Sequence, residues 1–301
     1  MTDTLVLNGI EKRYGDTQAV GGLDVQVPPG CIYGFLGPNG SGKTTSIRMV
    51  MDIIQPDKGS VSILGASSAR EVKHRIGYMP EERGLYRKMR VTSMLNYIGS
   101  IKGIPRKRLK TLVPELLERV ELDGSSKKRV EELSRGMHQK LQFLTTVINN
   151  PDLMILDEPF SGLDPVNLDM LKQMMIEKRD EGKTVIFSTH LMEQAELICD
   201  SILLINGGKK VLDGPLNEIK ANHETGLIEL DATGDSAFID EMAMTQSVAH
   251  NNGTLEIVLR PDEDPQKFLS AIAGQIDIRR FEIKTPTLRE IFVEHVGDGH
   301  E

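Results

Sequence analysis

The chain has 301 residues, a formal net charge of −8, 39% hydrophobic and 4% aromatic residues, and no tryptophan. That length admits two domains of ordinary globular composition, and no apolar run approaches the ~18 residues that a membrane span requires. The charge is uneven: after Ala221 stand 16 acidic and 6 basic residues, a balance of −10, so the rest carries +2 of the total −8.

Neither part has the basic footprint of a nucleic-acid-binding protein, and the short basic runs at 106–110 and 127–129 adjoin helix patterns and read as solvated faces. The N-terminus, MTDTLVLNGIEKRYGD, has no basic stretch followed by an apolar one, so no signal peptide is expected and the chain reads as soluble and cytosolic. Cys31 and Cys199 lie in apolar segments and are expected to be buried, reduced thiols.

Three β-like runs open the chain: TLVLNGI (4–10), QAVGGLDVQV (18–27) and CIYGFLG (31–37). A helix pattern starts at Lys43, followed by strand patterns at 59–65 and 74–80 and helices from Val91 and Pro105. Ser134 begins another helix, with Leu141, Leu144, Thr145 and Ile148 at helical spacing. The run PDLMILDEP (151–159), a helix at 165–180, strand KTVIFST, helix HLMEQAELI and strand SILLIN complete an alternating β/α body. Met170, Met174 and Met175 recur at core spacing on the 165–180 helix.

Past about residue 222 the pattern changes to strand 226–232, helix 235–243, strands 246–250 and 254–260, helix 265–273, strand 276–284 and helix 287–296. The first six spell βαββαβ, the order of a ferredoxin-like fold. Such a sheet has one face free to be covered by a second copy, and Ile228, Leu230, Ile257 and Leu259 form the pool of apolar strand positions for that face or for the domain's own helices. His223, His250 and His295 are far apart in sequence and lack metal-ligand spacing. The closing GDGHE is expected to be disordered.

GPNGSGKTT, Gly37 to Thr45, fits G-x-x-x-x-G-K-[ST] between a strand and a helix. Gly40 and Gly42 let the backbone curl so that amides converge on phosphate oxygens, and the helix N-terminus adds partial positive charge. Lys43 is placed for the β- and γ-phosphates and Thr44 for Mg²⁺. In LMILDEPFSGLDP, Leu153–Leu156 form a strand covered on both faces, and Asp157 emerges at its C-terminal end. Asp157 suits Mg²⁺ and Glu158 suits polarisation of an attacking water.

Together these stretches resemble the ATP-binding subunits of ABC transporters over about residues 4–220. The resemblance implies an α/β P-loop ATPase cassette at 1–220, a mixed-sheet core with a helical subdomain at about 85–150. The accessory domain at 222–296 would be a small, ferredoxin-like α+β unit. In this family two ATP molecules are sandwiched between two subunits, each lying on one subunit's P-loop and facing the other's Leu-Ser-Gly-Gly-Gln signature. Here the signature is Leu133-Ser134-Arg135-Gly136-Met137, so Ser134 and Gly136 would meet a partner's ATP.

The resemblance further assigns Gly37, Pro38, Asn39, Gly40, Ser41, Gly42, Lys43, Thr44 and Thr45 to the phosphates, Tyr14 to the adenine and His190 to the γ-phosphate. Glu81 stands where the family has glutamine, beside metal or water with Thr44 and Asp157. Ser161-Gly162-Leu163-Asp164 resembles the loop that meets the other subunit.

PEERGLY, the Ser-x-Gly-Met signature and the C-terminal domain resemble ATPases of bacterial ABC-2-type exporters, the group that includes sodium-extrusion systems. That implies an ATP- and Mg²⁺-dependent subunit at the cytoplasmic face of the membrane. It would pair with a second copy or a homologous subunit and power a separate integral-membrane permease. The alternative is a soluble ABC ATPase acting on ribosomes or DNA, whose members usually join two cassettes or insert long coiled coils; this chain has one cassette and no heptad insertion.

Overall fold

Alternating burial along the N-terminal strands generates an antiparallel layer. In the computed structural model, β1 (Leu5–Tyr14) pairs antiparallel with β2 (Thr17–Val27). Leu5, Leu7 and Ile10 of β1 and Leu23, Val25 and Val27 of β2 point into the core. β3 (Ile32–Leu36) is buried along its whole length and leads through the glycine-rich loop to α1 (Lys43–Val50). β4 (Lys58–Ile63) then returns to the other side of β1, giving the sheet order β2-β1-β4. The structure describes residues 2–82, 84–223, 226–251, 254–261 and 263–297.

After β5 (Ile76–Met79) a charged segment, residues 80–90, leads into helices: α2 (Val91–Ile101), α3 (Arg106–Arg119) and α4 (Arg135–Val147). Met94 and Leu95, Leu109, Val113 and Leu117, and Leu141 and Leu144 are their buried apolar positions. Lys102, capping α2, donates through Nζ to Thr146 O at 3.1 Å and Asn149 Oδ1 at 2.8 Å. Burial pushes its ammonium down to about 8.

β6 (Leu153–Asp157), α5 (Pro165–Asp180), β7 (Thr184–Thr189), α6 (Met192–Glu196), β8 (Ser201–Asn206) and β9 (Lys209–Pro215) complete the body. They build a six-stranded sheet in the order β5-β6-β7-β3-β8-β9. Its first five strands are parallel, and β9 turns back antiparallel on β8. The parallel strands β3, β6 and β7 are continuously apolar or small because both faces are covered. Cys31 and Cys199 are free and buried, and burial followed by the charge of Asp200 pushes the Cys31 thiol up to about 11.

The chain divides into two compact units, Met1–Leu216 and Asn217–Glu301. α7 (Leu216–Ala221) starts at this division. The second unit holds β10 (Leu227–Thr233), β11 (Thr245–Asn251), β12 (Thr254–Leu259), α8 (Pro265–Ile272), β13 (Asp277–Ile283) and α9 (Leu288–Gly297). Its antiparallel sheet has the order β11-β12-β10-β13, the ferredoxin-like arrangement.

One expectation is corrected here. The helix anticipated at 235–243 is a single 3₁₀ turn, Ala237–Ile239, with Ile239 alone fully buried. Asp240 and Glu241 would sit near the C-terminal end of such a helix, where negative charge opposes the macrodipole. Of the two roles open to Ile228, Leu230, Ile257 and Leu259, all four take the one toward the unit's own core, buried with Phe268 and Ile272. The register explains this, because Ile228 opposes Ile257 while the alternate pair Glu229 and Glu256 falls on the other face. Of the GDGHE tail, all but Gly297 lies outside the described residues.

Candidate functional site

The loop from Gly37 to Gly42 joins the C-terminal end of β3 to the N-terminus of α1, the end of a parallel sheet where ligands gather. Gly42 takes φ +108°, and a β-carbon there would lie 2.5 Å from Ala19 O, so only glycine fits. A cavity of about 270 Å³ opens above the loop, lined by Ala19, Asn39, Gly40, Gly42, Lys43, Thr44, Thr45, Glu81 and Glu158. Lys43 is buried and donates through Nζ to Gly37 O (2.7 Å) and Pro38 O (3.0 Å). Burial pushes its ammonium below the usual lysine range, while the carboxylates of Glu158, Asp157 and Glu81 work in the opposite sense. Ser41 Oγ is buried without a hydrogen-bond partner.

β6 delivers Asp157 and Glu158 to the same end of the sheet. Asp157 Oδ1 accepts from Thr44 Oγ1 at 3.2 Å and from Ser188 Oγ at 2.5 Å, whereas its buried Oδ2 has no partner. A hydroxyl and an incompletely satisfied carboxylate form a hard oxygen donor set that fits Mg²⁺. Glu158 follows with φ +49°, an uncommon conformation for a residue with a side chain. Its amide donates to Ser188 O (3.2 Å) and Ser188 Oγ (3.1 Å), and its Oε1 lies 3.0 Å from His190 Nδ1. A carboxylate that is only 8% exposed thus reaches the cavity and holds an imidazole at the end of β7.

Ser134 caps α4, its hydroxyl accepting from Met137 N at 3.3 Å. Neither Ser134 nor Gly136 lines the cavity over their own unit's glycine-rich loop. Arg135 turns to the loop after Glu158, where its Nη2 donates to Ser161 Oγ at 2.9 Å. Tyr14 ends β1, is 51% exposed, and is likewise absent from the cavity lining.

Three residues in this region escape sequence reasoning. Gln139 donates to Glu158 O (3.3 Å) and Pro159 O (2.9 Å), and Gln142 to Pro80 O (2.6 Å) and Glu82 O (3.4 Å). Three positions apart on α4, they tie the signature helix to the Glu158 loop and to the segment bearing Glu81. Ser188 joins the Asp157 side chain to the Glu158 backbone. Only their polarity on the buried face of α4, or inside an apolar strand, signals them.

A further correction concerns the histidines. His223 and His295, judged too distant for a shared site, are brought together with ring centroids 5.1 Å apart, and Glu294 joins them. His250 does not belong to this group. Folding, rather than sequence spacing, creates the cluster.

The family model described as ABC transporter matches residues 20–161, and that of the ATP-binding protein DrrA1-3-like C-terminal domain matches residues 214–296. The ABC transporter ATP-binding protein YhaQ of Bacillus subtilis is 36% identical over 99% of this chain and 100% of its own length. The Nod factor export ATP-binding protein I of Burkholderia thailandensis is 32% identical over 96% of this chain and 95% of its own. Among solved structures, an ATP-binding subunit of an ABC transporter superposes with a TM-score of 0.68 at 27% identity, covering 73% of this chain and 92% of that one. Among the described residues, no helix is long and apolar enough to cross a membrane. With the glycine-rich loop, its lysine and Glu158 lining one cavity, with Asp157 bonded to Thr44 of that lining, and with full-length relatives of this kind, the chain belongs to the ABC transporter ATP-binding proteins, subunits that bind and hydrolyse ATP.

Proposed function

We propose that this chain is the ATPase of an exporter, pairing with a second copy or a homologous subunit and driving a separate integral-membrane permease at the cytoplasmic face of the membrane. The export direction is carried over from the Nod factor export relatives. The ATPase cassette spans residues 1–220, and an accessory domain spans 222–296.

Gly37, Pro38, Asn39, Gly40, Ser41, Gly42 and Thr45 cradle the phosphates, and Lys43 meets the β- and γ-phosphates. Thr44, Asp157 and Glu81 are the residues that would hold Mg²⁺, which supplies charge neutralisation at the phosphates when bound. Glu158 orients the attacking water and accepts its proton. His190, whose Nδ1–H donates to Glu158, fixes that carboxylate and presents Nε2 toward the γ-phosphate. Tyr14 stacks on adenine. Ser134 and the Gly136 amide act on the ATP of the opposite subunit, in keeping with their absence from the lining of their own subunit's cavity.

The observation that carries this reading is the single junction formed by Thr44, Asp157, Ser188, Glu158 and His190. Glu158→Gln tests it. ATP binding should persist while turnover falls by at least ~10²-fold, and size-exclusion chromatography with Mg-ATP should reveal a stable dimer. Wild-type turnover from a persistent monomer would overturn the assignment.

A further inference from the structure

We propose that His223, Glu294 and His295 form a binding site for a divalent transition-metal ion, Zn²⁺ in the first instance. One ligand atom from each residue lies within 4.8 Å of the others. A borderline-soft ion bridging two imidazoles and one carboxylate is an established donor combination for zinc, with a fourth position left to water.

The hydrogen bonding of the two rings is the stronger observation. His223 Nδ1 lies 2.7 Å from Ile219 O, and His295 Nδ1 lies 2.9 Å from Ile291 O, each a carbonyl four residues earlier. A carbonyl only accepts, so each Nδ1 carries the proton, and the lone pair of each neutral ring sits on Nε2. Backbone carbonyls that fix the tautomer and aim the opposite nitrogen are the outer partners that metal-ligating histidines ordinarily have. The ring centroids are 5.1 Å apart with their planes tilted by 56°, which brings the two imidazoles within reach of one ion. His223 is half-buried and Glu294 and His295 are exposed, which leaves the site open to an ion from solvent.

The surrounding sequence favours a cation, since the chain after Ala221 carries −10. The site shares no residue with the lining of the nucleotide cavity. His223 lies two residues past the end of α7 and His295 lies in α9, so a bound ion closes a long loop across the second unit. Closing that loop withdraws freedom from the unfolded chain, and binding to the folded state alone stabilises it by mass action. The ion is therefore a staple that fastens α9 to the start of this unit.

The test uses the full-length, untagged chain, stripped with chelator and kept free of nucleotide. Titration with Zn²⁺ against a chromophoric chelator should give one saturable site per chain. His223→Gln and His295→Gln should each weaken it by more than the roughly 10–100-fold that loss of an outer partner costs a metal site. Both variants should keep wild-type ATP turnover in Mg-ATP. Zn²⁺ should raise the unfolding temperature of the wild-type second unit by roughly 5 °C or more and leave the variants unmoved. In the unmutated chain, the ring ¹⁵N resonances of His223 and His295 should shift together on addition of Zn²⁺. Absence of saturable binding, wild-type affinity in both variants, or unmoved resonances would each overturn the proposal.

Discussion

The guanidinium of Arg135 occupies the space that a side chain on Gly162 would need: a β-carbon there would lie 2.1 Å from Arg135 Nε. Gly162 also has φ +75°, a conformation that disfavours any side chain. Together with the Arg135–Ser161 hydrogen bond, this contact locks the signature turn to the loop that follows Glu158.

Replacing Gly162 by Ala should therefore displace Arg135 and disturb both segments. We expect kcat to fall by roughly tenfold while ATP affinity moves by less than about twofold. Adding Arg135→Gly should recover part of the loss, with a coupling of about 1–2 kcal/mol in a double-mutant cycle. Strict additivity of the two changes would argue that the contact has no bearing on turnover.

Ser134→Arg places a bulky cation where the opposite subunit's ATP is proposed to sit. Nucleotide affinity of the isolated monomer should match wild type in calorimetric titration, whereas ATPase activity should collapse. A loss of affinity as large as that caused by Lys43→Ala would assign Ser134 to its own subunit's nucleotide instead.

The two amides of α4 give a graded prediction. Gln139→Ala and Gln142→Ala each strip a donor from two backbone carbonyls, which should lower stability by about 1–2 kcal/mol. Because those carbonyls belong to the Glu158 loop and to the segment flanking Glu81, kcat should fall several-fold while ATP affinity holds. Chemical denaturation and steady-state kinetics measure the two effects separately.

Lys102 sets a pH dependence. Its folded-state pKa of about 8 lies below the unfolded lysine value of about 10.4, so between them the unfolded chain binds more protons. Stability from this site is therefore lowest below pH 8 and rises as the pH climbs toward 10. Relative to Lys102→Met, the wild type should gain about 1–2 kcal/mol across that window, after discounting for partial exposure. A stability difference that stays flat or falls with pH would contradict the buried-ammonium assignment.

What the sequence disclosed follows from how tightly chemistry constrains spacing. The loop from Gly37 to Thr45 was legible because backbone curvature, a lysine and a hydroxyl must follow one another at fixed intervals, and a strand and a helix must flank them. Asp157 and Glu158 were legible because an apolar strand ends abruptly in charge. Gln139 and Gln142 were not, since a donor to a backbone carbonyl demands nothing of the residue it bonds, and Ser188 was not, because a hydroxyl inside an apolar strand gives no local sign of the amide and carboxylate it meets. The 235–243 segment misled because helical periodicity was present without the burial to sustain it; Ile239 alone is fully buried there. His223 and His295 meet only because the second unit brings the segment after α7 against α9, a relation between distant segments to which local pattern is blind.

The backbone at Glu158 bears on how this family of sequences can drift. At φ +49°, glycine or asparagine would be the more comfortable occupant, and the glutamate holds that conformation at a cost of order 1–3 kcal/mol. On the role proposed for Glu158, selection for robustness and selection for turnover pull in opposite directions at this one position. A lineage released from the need to hydrolyse ATP would be drawn toward glycine there and would become sturdier as it fell silent. On that role, a glutamate at position 158 goes with turnover kept at the expense of stability.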